Sequence, residues 1–199
     1  MDAFLALDLG GVVYRSWPDR ALFERWALAF GLSADDLEAR AFIGRHWGEA
    51  ELGEITTDEA HARAAALLGV SREPVFSLVT DAFASRPDED LARCVERLRR
   101  RGVRVGAFTN NSGREAELLA RPELARLLDL AVSSADAGLT KPDPAFYRHA
   151  EGRFGVCGPD VVFLDDRPEH VETALCVGWR AFRFTTTAEA LADLQGAFG

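Results

Sequence analysis

The stretch Phe4-Leu5-Ala6-Leu7-Asp8-Leu9-Gly10-Gly11-Val12-Val13 decides the fold. Four consecutive apolar residues read as a short strand buried on both faces, the kind that belongs to a parallel sheet. The run ends in a carboxylate and two glycines. That is how such a sheet presents a functional group at its carboxyl edge, where ligands bind. Glycines at 10 and 11 let the backbone approach a ligand closely.

Working outward, the alternation of strand and helix resumes after Arg86-Pro87. A helix marked by Leu91, Val95 and Leu98 runs into Arg99-Arg100-Arg101 and stops at Gly102. The three arginines look like a basic patch, but cations at a helix carboxyl end complement its dipole, and we read them that way. Strands follow over 103–108, 130–133, 161–164 and 180–184. Helices beginning at Arg114, Pro144 and Pro168 separate them, and a last helix closes the chain. This order predicts an α/β fold: a three-layer, Rossmann-like parallel sheet covered on both faces.

Between Pro18 and Ser85 no strand pattern occurs. Leu22, Trp26 and Phe30 mark one helix, which Gly31 stops; Ser33 opens a second carrying Leu37 and Ala41. A third follows Gly53-Glu54-Ile55, with Thr56 and Glu59 spaced as a capping box. A fourth follows Ser71, with Pro74 in its first turn and Phe76, Val79 and Phe83 on one face. The chain is thus divided into an α/β core (1–16 and 86–199) and a small all-helical cap (17–85) inserted after the first strand. An insert at that point lies over the ligand crevice and reads as a lid.

Composition sets limits on function. The chain has 199 residues, 48% hydrophobic and 28% charged, as in an ordinary globular protein. Acidic residues outnumber basic ones, 32 to 23, for a net charge of −9, which argues against nucleic acid and anionic membrane as partners. Cys94, Cys157 and Cys176 are odd in number and form no Cys-x-x-Cys pair, so reduced, mostly buried thiols are expected rather than a zinc site or disulfide framework. With no basic leader pattern and no apolar run long enough for a span, a cytoplasmic protein is expected. Nothing in the sequence specifies an oligomeric state.

Four polar clusters fall at strand ends or in the loops that follow: Asp8-Leu9-Gly10-Gly11, Thr109-Asn110-Asn111-Ser112, Lys141-Pro142-Asp143-Pro144 and Asp165-Asp166-Arg167-Pro168. Each alone is ordinary turn or cap chemistry, such as Asp143 capping a helix with Pro144 at its first position. Together they bring three acids to one crevice, where mutual repulsion opposes ionisation unless a cation is present. A few hard oxygen ligands suit Mg²⁺. Thr109 supplies a hydroxyl and Lys141 a positive charge for phosphoryl oxygens.

These four clusters, in this order, resemble the four motifs of the haloacid dehalogenase-like (HAD) hydrolase superfamily, most of whose members are phosphatases. The resemblance spans the whole chain, and the helical insert stands where that family carries its C1-type cap. It implies that Asp8 is the nucleophile, forming an aspartyl-phosphate. It implies Mg²⁺ held by Asp8, the Gly10 carbonyl and Asp166, with Asp165 in support. Thr109 and Lys141 would bind the phosphoryl oxygens, and Asn110 would shape the phosphate entrance. The implied substrate is a small phosphorylated metabolite, such as a sugar phosphate.

One position departs from the family pattern. Most of its phosphatases carry a second aspartate two residues after the nucleophile, acting as general acid and base; here Gly10 stands there. The Asp-x-Gly-Gly variant is similar to bacterial sugar-phosphate phosphatases and to the phosphatase domain of epoxide hydrolases, as is Gly53-Glu54-Ile55-Thr56. His46 is a candidate replacement acid, although packing is the plainer reading. Tyr14 and Arg15 are candidates to face substrate. Trp17, Trp26 and Trp47 read as cap lining or core. Two other functions compete: a phospho-ligand-binding protein that has lost turnover with its acid, and a metal-independent 2-haloacid dehalogenase, against which Asp165-Asp166 argues.

Overall fold

β1 (Phe4–Leu7) lies in the middle of a five-stranded sheet in a computed structural model that describes residues 3–14, 20–42, 44–82 and 87–199. The expected core–cap boundaries, Arg15, Trp17 and Phe83 lie outside the described residues. With β2 (Arg104–Thr109), β3 (Leu130–Ser133), β4 (Val161–Asp165) and β5 (Arg180–Arg183), the order is β3-β2-β1-β4-β5 and every pairing is parallel. Chain order reverses around β1, and the crevice of such a sheet opens at that reversal. Leu7 pairs with Ala107 on one side and Leu164 on the other, so Asp8, Thr109 and Asp165 emerge side by side at one edge.

The strands can be apolar throughout because both faces are covered. Leu5, Leu7, Val105, Ala107, Val162 and Leu164 pack against α6 (Glu89–Arg100) and α12 (Thr187–Phe198). Phe4, Ala6, Phe108, Val161 and Phe163 pack against α10 (Pro144–Phe154) and α11 (Pro168–Cys176). Three short helices come between α6 and α10: α7 (Glu115–Leu119) and α8 (Pro122–Ala125) join β2 to β3, and α9 (Ser134–Ala137) follows β3. Phe108 is the hub of that second face, with ring centroids of Phe146 at 4.6 Å, Tyr147 at 5.0 Å and Trp179 at 5.5 Å. Burying each such ring stabilises by about 1.5–3 kcal/mol, and here the layer also braces the segment that carries Lys141.

Between β1 and α6 the described residues form α1 (Arg20–Phe30), α2 (Ala34–Ala41), α3 (Arg45–Glu51), α4 (Thr57–Leu68) and α5 (Arg72–Ala82). α1, α2, α4 and α5 share a core of their own, including Phe23, Leu37, Ala64, Ala65, Val75 and Leu78, and α3 lies against α4. Ser33 caps α2, and Thr56 with Glu59 closes the capping box of α4, as their spacing predicts. Trp26 packs on this core and donates through Nε1 to Asp81 at 3.1 Å. Among the described residues no helix is long and apolar enough to cross a membrane.

Three expectations need correction. The sequence reading has four helices in the insert and misses α3, whose 7 residues bury only His46 and Ala50 and have no apolar period to read. On α5 the inward stripe is Val75, Leu78 and Ala82, not the face of Phe76, which is 60% exposed. The helix turns smaller side chains inward to pack closely on alanine-rich α4. Of the three free thiols, only Cys94 is buried; Cys157 and Cys176 are exposed, one in a loop and one at the solvent end of α11. Arg99 and Arg100 lie in the last turn of α6, but the bonds of the triplet go to other elements, Arg99 donating to the Arg126 carbonyl at 2.6 Å and Arg101 to that of Phe198 at 2.6 Å.

Candidate active site

Asp8 follows β1 directly and is 8% exposed. Its amide donates to the Leu164 carbonyl at 2.9 Å, continuing the sheet one residue further and aiming the side chain off the edge. Lys141, just before α10, reaches back over that edge. Its ammonium lies 3.0 Å from Asp8 Oδ1, donates to Asp165 Oδ2 at 2.6 Å, and donates to the Phe108 carbonyl at 2.9 Å. The rings of Phe108 and Phe163 stand 5.3 Å away on either side and shut out water. One buried cation is thus shared between two buried carboxylates.

Asp165 is closed off from solvent and fully engaged. Besides Lys141 it accepts from the Arg167 amide at 2.9 Å and from His170 Nδ1, which stands 3.0 Å from both of its oxygens. His170 is held in turn by the Tyr147 hydroxyl, which donates to its carbonyl at 2.8 Å. Burial alone would raise the Asp165 carboxyl, but the His170 hydrogen bond and Lys141 hold it below the ordinary carboxylate range. The sequence reading missed His170. Its signal was the spacing: five residues past Asp165, it falls in the first turn of a helix that starts at the sheet edge.

Asp8 and Asp166 are shifted the other way. Burial raises Asp8, and Asp165 adds to this against the pull of Lys141; burial and Asp165 raise Asp166. Oxygens of Asp8, Asp165 and Asp166 lie within 4.8 Å of one another. Two carboxylates held near like charge, with one lysine shared among the group, make a centre short of positive charge. Its all-oxygen donor set fits a small hard cation. Gly11 permits the cluster: its φ is +79°, and a Cβ there would run into the Asp166 carboxylate. Gly10 differs, since among the described residues none beyond its chain neighbours comes within 4 Å of where its Cβ would be.

Thr109, 1% exposed at the end of β2, makes one long hydrogen bond, 3.5 Å to the Asn110 carbonyl, which leaves its hydroxyl available to a ligand. Asn110 has a different occupation: its side-chain amide donates to the Lys141 carbonyl at 3.0 Å and accepts from the Lys141 amide at 2.8 Å. It clasps the backbone that carries the lysine. Ser133 and Ser134, both buried, tie down the next loop through Asn111 and Gly113. Asp143 caps α10 by accepting from the Ala145 amide at 2.8 Å.

Two other candidates turn elsewhere. Tyr14 donates to Glu123 at 3.1 Å under the Arg121 guanidinium, away from Asp8. His46 is buried inside the insert, where burial lowers its pKa and its charged neighbours are Arg63 and Glu49. It packs over Gly44 and beside Trp47, whose indole donates to the Ala41 carbonyl.

A Rossmann-like parallel sheet with a carboxylate–lysine–carboxylate cluster at its switch point, overlain by a helical insertion, defines a class of α/β hydrolases. Residues 5–178 match the model of the haloacid dehalogenase-like hydrolase family, and the chain belongs to that family. It is 34% identical to phosphatase MT3486 of Mycobacterium tuberculosis over 155 residues, 70% of each chain. It is 27% identical to the validoxylamine A 7'-phosphate phosphatase of Streptomyces hygroscopicus subsp. limoneus, over 94% of this chain and 88% of that one. A HAD family enzyme from Bacteroides thetaiotaomicron, solved with magnesium and inorganic phosphate, shares the fold with a TM-score of 0.78 at 16% identity, covering 94% of this chain and 96% of the other.

Proposed function

We propose that the protein is a Mg²⁺-dependent phosphatase of a small phosphorylated metabolite, acting in the cytoplasm through an aspartyl-phosphate on Asp8. The observation that carries this reading is the Asp8 carboxylate at the end of β1, 3.0 Å from the buried Lys141 ammonium and beside Asp166. Asp8 attacks phosphorus in line, and the ester oxygen leaves on the opposite side. Lys141 and the Thr109 hydroxyl bind the phosphoryl oxygens and stabilise the charge that gathers on them. Asp8, Asp166 and the Gly10 carbonyl would hold the metal, with Asp165, engaged by Lys141 and His170, in support. Bound there, Mg²⁺ neutralises phosphoryl charge and aligns nucleophile with phosphorus. The segment 17–85 serves as the cap that closes over substrate and excludes water.

The test is phosphate release from p-nitrophenyl phosphate with Mg²⁺, with EDTA, and with Asp8→Asn. Release lost under both controls is the expected result. Tight Mg²⁺ and phosphate binding without any turnover would instead support a phospho-ligand-binding protein.

A further inference from the structure

The loop after β1 carries glycine, not an acid, two residues past Asp8, and among the described residues none beyond its chain neighbours comes within 4 Å of where a Gly10 Cβ would stand. The insert offers a carboxylate instead. Glu51 is the last residue of α3, and the turn after it is pressed onto the carboxyl edge of the sheet. Gly53, at φ +69°, sits so close to the Ala135 carbonyl that a Cβ would collide with it, and Thr57 Oγ1 donates to the Ser112 carbonyl at 3.2 Å. Ala135 and Ser112 belong to the segments that follow β3 and β2. The seam therefore fixes the end of α3 above the crevice that Asp8 enters.

Glu51 is half-buried there and, among the described residues, makes no hydrogen bond and no ion pair. The other half-buried glutamate of α3, Glu49, is committed to Arg45 and Arg63. Among the described residues, the charged groups that act on Glu51 come from the core: Arg167 after β4, Asp8 after β1 and Lys141 before α10. His46 on the same helix faces only charges of the insert.

We propose that Glu51 is the proton donor and acceptor of the reaction, supplied by the insert in place of the acid absent at Gly10. The assignment rests on the phosphatase reading above. In the first step an Asp8 oxygen bonds to phosphorus while the bond from phosphorus to the ester oxygen breaks. The electron pair stays on that oxygen, which takes the Glu51 proton and departs as the alcohol. In the second step the Glu51 carboxylate takes a proton from water as the water oxygen bonds to phosphorus. The bond from phosphorus to Asp8 breaks, its pair returns to the carboxylate, inorganic phosphate leaves, and Glu51 is protonated again. Burial raises the Glu51 pKa, which favours the protonated form the first step consumes.

The experiment compares wild type, Glu51→Gln and Glu51→Asp on p-nitrophenyl phosphate and on phenyl phosphate, a much poorer leaving group, in single-turnover and steady-state modes, with Asp8→Asn as blank. For Glu51→Gln we expect first-turnover cleavage of phenyl phosphate to fall by about 10²-fold or more, as loss of a general acid does. On p-nitrophenyl phosphate it should give a burst of nitrophenol equal to the enzyme present, followed by slow turnover, because the second step has lost its base. Glu51→Asp should recover part of both. Equal losses on the two substrates without a burst, or no loss on either, would overturn the assignment while leaving the phosphatase standing. Wild-type release no greater than that of Asp8→Asn would overturn the phosphatase reading and this one with it.

Discussion

The Lys141 ammonium lies 2.6 Å from Asp165 Oδ2, and both side chains are closed to solvent. Removing one partner of such a pair leaves the other as an uncompensated buried charge, which costs about 3–5 kcal/mol. Lys141→Met should therefore melt well below wild type and lose about 10²–10³-fold in phosphate release, the size of one electrostatic donor. Calorimetry alongside the activity assay checks both parts. An unchanged melting temperature would mean that Asp165 draws its compensation from elsewhere.

His170 acts on the reaction only through Asp165, so it is a positioning residue. His170→Ala removes a hydrogen bond to a charged group, about 1.5–3 kcal/mol of stability. It should lower kcat with little change in KM, since the substrate is not touched. His170→Asn, which keeps a side-chain donor, should recover part of the loss. A change in KM alone would contradict the assignment.

The shifts of Asp8 and Asp166 set a pH dependence. Their folded pKa values lie above the unfolded value of about 3.9, so in that window the folded chain holds more protons than the unfolded one. The stability of the metal-free protein then falls as pH rises through the raised values. Asp165 runs oppositely: its contribution is present above about 3.9 and is lost as pH drops through its lowered value. We expect Mg²⁺ to raise the melting temperature near neutral pH. Asp166→Asn should raise that of the metal-free protein, flatten its fall with pH and remove the Mg²⁺ response. A Mg²⁺ shift in the variant equal to wild type would exclude Asp166 as a ligand.

Gly10 lies outside the left-handed region, and its Cβ direction is open, so Gly10→Asp should fold as wild type does. Combined with Glu51→Gln, it should restore cleavage of phenyl phosphate by about 10-fold or more by returning an acid to the crevice. Thermal melts and single-turnover rates decide. A well-folded double variant without recovery would show that a carboxyl at position 10 cannot reach the leaving group.

Much of the fold was legible because local chemistry carries it. The apolar run 4–7, its carboxylate and its glycines specify a buried parallel strand and its loop. The Ser33, Thr56 and Asp143 caps specify helix starts, since each side chain satisfies amides only a few residues away. The four clusters were legible for the same reason, being short and fixed to strand ends. α3 was not: with two buried residues among 7, it has no period to detect, and only packing on α4 and the core makes it a helix.

What the sequence determined by itself was the order of the strands and of the longer helices, and the residue types delivered to the sheet edge. What tertiary structure decided was which of those residues meet. Asn110 clasped the lysine backbone, His170 joined Asp165, His46 closed into the insert, and Glu51 came to lie where Asp8 and Lys141 act on it. Each of these depends on groups up to 90 residues apart arriving at one burial depth, where the absence of water makes every charge answer to its neighbours. Sequence spacing within an element is set by backbone geometry. Spacing between elements is set by how their faces pack, and that is a property of the folded chain alone.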